Sequence, residues 1–223
     1  MRVLLVEDDK FMAQMIAALL VKKNFKVTTA HNSEDALENL KSYQFDAVLL
    51  DLRLNEASGL DVLAAAREMG VEYPILILSG DLDTDTKVRA LSAGADDYIT
   101  KPFKIEELSA RILAVVRRTN GHVLPCIEVG PLKLQIDQKL VHVHDKPLNL
   151  TRKEYEVLEA LVLRSGRTLS KDTILSLLYG GLDEPSPKII DVFVCKLRKK
   201  LSEALGGLSP IQTVYGIGYA FRL

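Results

Sequence analysis

The sequence predicts an α/β domain followed by an α+β domain, and two observations carry that prediction. Residues 1–119 alternate short, continuously apolar runs with amphipathic helical patterns, which is typical of a parallel sheet covered on both faces by helices. Residues 127–223 begin with short alternating segments, continue with helical patterns and end in two strand-like pieces. The segment 120–126 contains an Asn-Gly pair and a proline, which favour turns, and it is predicted to be the linker.

Five strands are predicted in the first domain, and each precedes a helix whose apolar residues recur at helical spacing. Five such units in about 118 residues fit a flavodoxin-like (βα)5 fold with a doubly wound parallel sheet. The predicted strands are Val3–Val6, Val27–Thr29, Ala47–Leu50, Ile75–Leu78 and Asp97–Thr100.

The second domain opens with a predicted antiparallel meander, because its short alternating segments are separated by turn residues. Thr151 and Glu154 form a predicted capping box at the start of one helix, and Ser170 caps a second helix that runs to Leu178. A third helix is predicted over 186–204. The predicted strands are Ile127–Val129, Leu132–Ile136, Lys139–Val143 and Lys146–Leu148, with a closing hairpin of Ile211–Tyr215 and Tyr219–Leu223.

The formal net charge of −1 conceals two halves of opposite sign. Residues 1–119 carry 15 basic and 19 acidic side chains, a net of −4, whereas residues 120–223 carry 14 and 11, a net of +3. A basic half favours an anionic partner. No apolar stretch approaches the roughly 20 residues that span a bilayer. The two cysteines, Cys126 and Cys195, predict neither a disulfide framework nor a zinc site, so a cytoplasmic protein is expected.

Polar side chains follow four of the five predicted strands of the first domain. Glu7 and Asp8 follow the first strand, Asp51 the third, Ser79 the fourth and Lys101 the fifth. Since the carboxyl ends of parallel strands meet at one edge of a sheet, these side chains are expected to lie together. Carboxylates crowded at that edge repel one another unless a cation lies among them, and oxygen ligands suit Mg²⁺. The group predicts transfer of a phosphoryl group to a carboxylate.

The segments VEDD, LLDLRL, ILSG and GADDYITKPF resemble, in order and spacing, the receiver domain of response regulators over residues 1–118. The resemblance implies that a phosphohistidine donor, either a histidine kinase or a histidine phosphotransfer protein, phosphorylates Asp51. It also implies that Asp8, Asp51 and the backbone carbonyl of Arg53 bind Mg²⁺, while Glu7 acts through water.

The same resemblance assigns roles to three further residues. Ser79 and Lys101 hold the phosphoryl oxygens, and Tyr98 is the aromatic residue that turns inward on activation. Asn55 stands where many receivers have proline, which is expected to loosen that loop without removing a ligand.

A charged surface is predicted on the fourth helix, the fifth strand and the fifth helix. Such a surface most often simply faces solvent, because exposed ion pairs contribute little to stability. The same charges occur, however, in the OmpR/PhoB subfamily, which the chain resembles and in which they pair across a two-fold dimer. The resemblance implies the intersubunit pairs Lys87–Glu107, Asp97–Arg111 and Asp96–Arg118.

The third helix of the second domain is strongly basic. Residues 186–203 contain five basic and two acidic side chains, a net of +3. Ile190, Val194, Leu197 and Leu201 recur at helical spacing and are expected to face the core. A helix with one apolar side, packed on the core, and one basic side fits the DNA major groove. A charged helix side on its own, however, more often simply faces solvent and binds nothing. The predicted outer stripe contains Lys188, Val192, Cys195, Lys196 and Lys199.

Two helices before this basic helix and a hairpin after it predict a winged helix. The segments LTRKEYEVLEAL, KIIDVFVCKLRKKL and QTVYGIGYAF resemble the effector domain of the OmpR/PhoB family over residues 127–223. The basic helix is most similar to a subgroup of alphaproteobacterial cell-cycle regulators. The resemblance implies that a head-to-tail pair binds tandem half-sites of double-stranded DNA. It implies base contacts by Val192, Cys195, Lys196 and Lys199, and phosphate contacts by Lys188, Arg198 and Thr213.

Two residues of the hairpin depart from the family. Tyr215 is a candidate DNA contact at a position that is often Trp or Arg, and Ile217 stands where the subgroup has arginine. Contacts of the hairpin with the minor groove are therefore expected to be weaker than in that subgroup.

Together these features predict a two-component transcriptional regulator that accepts phosphate but is not a turnover enzyme, with RNA polymerase left open as a partner. One alternative is a phosphohydrolase with Asp51 as its nucleophile, but haloacid-type enzymes need an acid where Arg53 stands. The other is a DNA-binding protein independent of phosphorylation, which the intact acidic cluster disfavours.

Overall fold

A computed structural model describes residues 1–55, 58–180, 184–207 and 209–222. The chain divides into two compact units, Met1–Thr119 and Asn120–Leu223. Among the described residues, no helix combines the length and apolar character needed to cross a bilayer.

The first unit is a five-stranded parallel sheet with the strand order β2-β1-β3-β4-β5, which confirms the predicted doubly wound fold. The central strands β1, β3 and β4 are buried along their whole length, which explains their continuous apolar runs. In chain order the elements are β1 Arg2–Val6, α1 Lys10–Lys22, β2 Lys26–Ala30, α2 Ser33–Ser42, β3 Ala47–Asp51, α3 Gly59–Glu68, β4 Ile75–Ser79, α4 Thr84–Ser92, β5 Asp97–Thr100 and α5 Ile105–Thr119.

Arg2, which the sequence analysis did not single out, is a buried cation at the amino-terminal edge of this sheet. It is 1% exposed, and its guanidinium carbon lies 4.5 Å from the centre of the Phe45 ring and 4.9 Å from that of Tyr43. Its backbone N–H donates to Asp46 Oδ2 at 2.7 Å. The two rings and the guanidinium hydrogen bonds to the Gln44 carbonyl and the Thr28 hydroxyl compensate the burial of the charge, at the edge opposite the acidic residues.

The second unit contains two antiparallel sheets and three helices, as expected for an α+β winged helix. One sheet has the order β6-β7-β8-β9, and the other has the order β10-β12-β11. In chain order the elements are β6 Cys126–Val129, β7 Leu132–Gln135, β8 Leu140–Val143, β9 Lys146–Pro147, α6 Arg152–Leu163, β10 Thr168–Ser170, α7 Lys171–Tyr179, α8 Lys188–Leu205, β11 Ile211–Val214 and β12 Gly218–Phe221.

Local sequence signals correctly predict where helices α6 and α7 of this unit begin. The Thr151–Glu154 capping box is present at the start of α6, and Ser170 caps α7 by accepting from the backbone N–H of Thr173. The apolar side of α8 is buried as predicted, at Ile190, Val194, Leu197 and Leu201. The final strand ends at Phe221, and Leu223, which the prediction included, lies outside the described residues.

Strand β10 was not predicted. Its three residues, Thr168–Ser170, are too few to show an alternating pattern, and they run directly into the cap of α7. The strand pairs with β12, where a Cβ atom added to Gly218 would lie only 2.0 Å from the Leu169 carbonyl oxygen. A glycine in β12 therefore permits this close approach.

Candidate functional site

Three carboxylates lie together at the carboxyl ends of β1 and β3. One carboxylate oxygen from each of Glu7, Asp8 and Asp51 lies within 4.8 Å of the others. Glu7 and Asp51 are buried, and Asp8 is half-buried. The sequence predicts this grouping from the carboxyl ends of parallel strands, and the structure shows that β1 and β3 are parallel neighbours that end at the same edge of the sheet. We call these three residues the acidic cluster.

Lys101, which follows β5, places its ammonium group between two members of the acidic cluster. Its Nζ donates to Glu7 Oε2 at 2.6 Å and to Asp51 Oδ2 at 2.5 Å. Burial raises the pKa of Glu7; the Lys101 hydrogen bond opposes that rise, and the Asp51 and Asp8 charges add to it. Burial alone would lower the pKa of Lys101, but its hydrogen bonds to Asp51 and Glu7 keep that pKa above its usual value.

The acidic cluster has the donor set of a magnesium site. Carboxylate oxygens are the hard ligands that Mg²⁺ prefers. The three carboxylates, when ionised, and the single ammonium of Lys101 sum to a charge of −2, which a divalent cation would balance. The backbone N–H of Arg53 donates to Asp51 Oδ1 at 2.9 Å, so the residue whose carbonyl is a predicted ligand adjoins the cluster.

Ser79 and Tyr98 both bind the backbone of Asp81, a residue that the sequence analysis did not single out. Ser79 is fully buried, and its Oγ accepts from the Asp81 N–H at 3.1 Å. The buried Tyr98 donates its hydroxyl to the Asp81 carbonyl at 3.0 Å. The resemblance assigns an inward Tyr98 to the activated protein, whereas the ring already has that orientation here. One peptide segment thus connects the predicted phosphate-binding hydroxyl to the predicted switch residue.

We expect the Lys101→Met variant to lose about 2 kcal/mol of unfolding free energy without divalent cations, because two buried carboxylates lose their shared partner. This loss of unfolding free energy is smaller than for a fully buried ion pair, because the Lys101 side chain is 20% exposed and solvent screens its charge. Mg²⁺ is expected to stabilise this variant more than wild type, since the ion replaces the missing positive charge. Chemical denaturation with and without Mg²⁺ measures both effects.

Lys104→Met is the matched control, because it removes an exposed ammonium from the same β5–α5 connection. It should leave both the unfolding free energy and the Mg²⁺ effect unchanged. Equal stabilisation of wild type and Lys101→Met by Mg²⁺ would contradict the assignment of Lys101 as the counterion.

The acidic residues of the predicted dimer surface have partners within their own chain. Arg111 donates from Nη1 to Asp97 Oδ2 and from Nε to Glu107 Oε1, both at 3.0 Å. Asp96 Oδ2 accepts from Arg67 Nη2 at 2.7 Å, a contact that the sequence analysis missed. Arg67 had no signal in the sequence, since it lies on α3, outside the predicted surface.

The remaining dimer candidates, Lys87 and Arg118, are exposed. Lys87 Nζ lies 6.0 Å from the centre of the Tyr98 ring. A second chain would have to replace the Arg111 pairs and the Arg67–Asp96 pair with intersubunit pairs. The Arg111 pairs are largely exposed and contribute little to stability, so their replacement has a small effect on the free energy.

On the second unit, α8 presents the predicted basic stripe to solvent, and we call α8 the recognition helix. Lys200, by contrast, is turned away from the stripe and donates to Glu154 Oε2 at 2.7 Å. The β11–β12 hairpin, which we call the wing, exposes Tyr215 by 92% and Ile217 by 58% at its turn. The exposed residues of the stripe are Lys188, Val192, Cys195, Lys196 and Lys199.

Arg198 and Thr213, both predicted to lie near phosphates, are bonded to each other. Arg198 Nη2 donates to Thr213 Oγ1 at 2.7 Å, and its Nε donates to the Ile211 carbonyl at 3.0 Å. The structure therefore separates Arg198 from the stripe of exposed residues and joins it to the wing.

Comparison with known proteins supports the same division of the chain. The family profile described as "Response regulator receiver domain" matches residues 3–113, and "Transcriptional regulatory protein, C terminal" matches residues 145–221. The chain is 49% identical to the cell cycle transcriptional regulator CtrA of Caulobacter vibrioides, covering 100% of this chain and 96% of that protein. It is 50% identical, with the same coverage, to the cell cycle response regulator CtrA of Brucella anthropi.

Among solved structures, a Francisella response regulator receiver domain is similar to the first unit. It is 32% identical with a TM-score of 0.51, and the match covers 53% of this chain and 98% of that one. The similarity to cell-cycle regulators that the basic helix predicted is thus confirmed and extends over the full chain.

Proposed function

The chain belongs to the CtrA-like response regulators of the OmpR/PhoB type, and we propose that phosphorylation of Asp51 promotes its dimerisation and its sequence-specific binding to DNA. The observation that carries this proposal is the position of Asp51, buried within the acidic cluster and bonded to Lys101. The same chain carries an exposed basic recognition helix. Its output is regulation of transcription.

Asp51 is the proposed nucleophile. One of its carboxylate oxygens forms a bond to the phosphorus of a phosphohistidine while the P–N bond breaks and the imidazole leaves with the electron pair. The donor is a histidine kinase or a histidine phosphotransfer protein. Mg²⁺ held by Asp8, Asp51 and the Arg53 carbonyl, with Glu7 acting through water, would supply charge neutralisation for the transferred group. Lys101 transfers its hydrogen bond from Asp51 to a phosphoryl oxygen.

The switch starts at Ser79, whose hydroxyl rotates toward the new phosphoryl group. That rotation takes the acceptor away from the Asp81 N–H, and the Asp81 carbonyl is the partner of Tyr98. The segment that connects β4 to α4 therefore repacks around the inward Tyr98 ring, and this segment is the bistable element such a switch needs. Since α4 and β5 bear part of the predicted dimer surface, repacking changes that surface.

Dimerisation through α4, β5 and α5 would use the pairs Lys87–Glu107, Asp97–Arg111 and Asp96–Arg118, each made twice in a two-fold dimer. Two recognition helices in one dimer then bind tandem half-sites with a higher effective concentration, which raises affinity without new base contacts. Phosphorylation is thereby linked to DNA occupancy.

The full chain tests this proposal directly. It is incubated with Mg²⁺ and phosphoramidate, a small P–N phosphodonor, and its mass in solution is measured by light scattering. Its affinity is measured for a duplex that the wild-type chain selects from a random-sequence pool. We expect acid-labile phosphate, a shift from monomer to dimer and tighter binding. A DNA affinity that is identical with and without phosphate would overturn the proposed control.

Lys196→Ala is expected to weaken DNA binding by about 1–3 kcal/mol, because an exposed lysine on the recognition helix is suited to a guanine edge in the major groove. Competition between the selected duplex and its single-base variants measures the effect. Lys146→Ala, an exposed lysine in β9 of the same unit, is the control and should bind like wild type. If Lys196→Ala keeps the wild-type preference among the single-base variants, Lys196 contacts a phosphate and does not read a base.

A further inference from the structure

Arg198 lies in the second half of the recognition helix and directs its guanidinium at the wing. Nε donates to the Ile211 carbonyl at 3.0 Å, and Nη2 donates to Thr213 Oγ1 at 2.7 Å. The guanidinium carbon also lies 5.5 Å from the centre of the Tyr219 ring. One side chain therefore contacts both strands of the wing.

Asp191 makes a second connection, two turns nearer the start of the recognition helix. Its Oδ1 accepts from the Tyr219 hydroxyl at 2.6 Å, and its Oδ2 accepts from Lys171 Nζ at 2.8 Å. Lys171 is the first residue of α7, so this carboxylate joins the recognition helix to the wing and to the preceding helix. The hydrogen bonds from Lys171 and Tyr219 hold the pKa of Asp191 below its usual value, so the carboxylate stays charged.

We infer that Arg198, Asp191, Tyr219 and Lys171 are positioning residues that hold the wing at a fixed angle to the recognition helix, so that both reach the same DNA. We call these four residues the wing clamp. The inference rests on the proposed DNA-binding function and gives Arg198 and Thr213 a different role from the phosphate contacts implied by family resemblance.

The location of the wing clamp argues against a purely structural role. Its Lys171–Asp191 pair is 40% exposed on both sides, and exposed pairs add little to stability. The helix is held to the core separately, by the buried residues Ile190, Val194, Leu197 and Leu201. What the clamp adds is orientation of a hairpin whose turn projects into solvent.

The wing itself supplies the discriminating measurement, because residues 211–221 contain no lysine or arginine. Contacts made by an uncharged wing release no counterions, so their loss lowers affinity without changing how affinity depends on salt. A side chain that neutralises a phosphate behaves differently, since its removal lowers the salt slope by about one.

The test uses the full chain and two duplexes derived from the sequence that wild type selects from a random pool. The short duplex ends at the base pairs read by the recognition helix, and the long duplex extends beneath the wing. For Arg198→Met, we expect about tenfold weaker binding to the long duplex, unchanged binding to the short one and an unchanged salt slope. Tyr219→Phe keeps the ring under Arg198 and removes only the bond to Asp191, so the same pattern is expected with a smaller loss.

Two comparison variants complete the experiment. Arg198→Lys retains the charge but not the forked geometry, so it should behave like Arg198→Met. Lys188→Ala, at an expected phosphate contact, should lower the salt slope by about one on both duplexes. The inference is overturned if Arg198→Met lowers the salt slope and weakens both duplexes equally, or if Arg198→Lys binds like wild type. Failure of wild type to select any duplex would instead refute the proposed DNA binding.

Discussion

The Asp51→Asn variant is expected to take up no acid-labile phosphate and to keep the DNA affinity of the unphosphorylated wild-type chain. An amide is a poor nucleophile toward phosphorus, and the change leaves the side chain nearly the same size in its buried position. It also removes one negative charge from the acidic cluster, so a weaker Mg²⁺ affinity is expected together with the loss of phosphorylation. Phosphoramidate with Mg²⁺ serves as the donor, and DNA binding is measured on the selected duplex before and after treatment.

Asp9→Asn is the matched control for Asp51→Asn. Asp9 directly follows Asp8 of the acidic cluster in sequence, but its carboxylate caps α1 by accepting from the backbone N–H groups of Phe11 and Met12, at 2.9 and 3.1 Å. Asparagine caps helices about as well as aspartate, so this variant removes one charge while it keeps the cap and the nucleophile. It should be phosphorylated like wild type. Asp51→Asn binding DNA as tightly as phosphorylated wild type would refute the switch.

The acidic cluster could be predicted because its position depends only on strand order. Glu7, Asp51 and Lys101 each end or follow a parallel strand, and the carboxyl ends of such strands converge whatever the details of the loops. The structure confirms this convergence, since Lys101 Nζ lies within hydrogen-bonding distance of both Glu7 and Asp51. The recognition helix could be predicted for a similar reason, since its buried and exposed sides follow from helical spacing alone.

Contacts between side chains distant in sequence could not be predicted in this way. The bond from Arg198 to Thr213 depends on the angle between a helix and a hairpin, which periodicity does not report. The pairing of Asp96 with Arg67 crosses from β5 to α3, and no local pattern indicates it. In both cases the family resemblance implied a partner outside the chain for a charged or polar group that also has a partner within the chain. Geometry is therefore what distinguishes a positioning residue from a contact residue.

The Gly59→Ala variant is expected to lose about 3 kcal/mol of unfolding free energy in the first unit and to be phosphorylated poorly. A Cβ atom at Gly59 would lie 2.2 Å from the Asp51 carbonyl oxygen and 2.7 Å from the Leu52 Cα atom. Both are backbone atoms, so no side-chain rotation can relieve the contact. The start of α3 would have to move away from the end of β3, which carries the nucleophile, and the loss of stability and the loss of phosphorylation therefore share one cause.

Gly80→Ala separates this effect from the general cost of placing a methyl group near the site. Gly80 directly follows β4, and an added Cβ atom there meets nothing within 4 Å, so its stability should stay within about 0.5 kcal/mol of wild type. Thermal unfolding and phosphorylation by phosphoramidate are measured for both variants. DNA binding by unphosphorylated Gly59→Ala should match that of wild type, because α8 lies in the other compact unit. If Gly59→Ala is as stable and as readily phosphorylated as wild type, close contact between α3 and the backbone of Asp51 is not what positions the nucleophile.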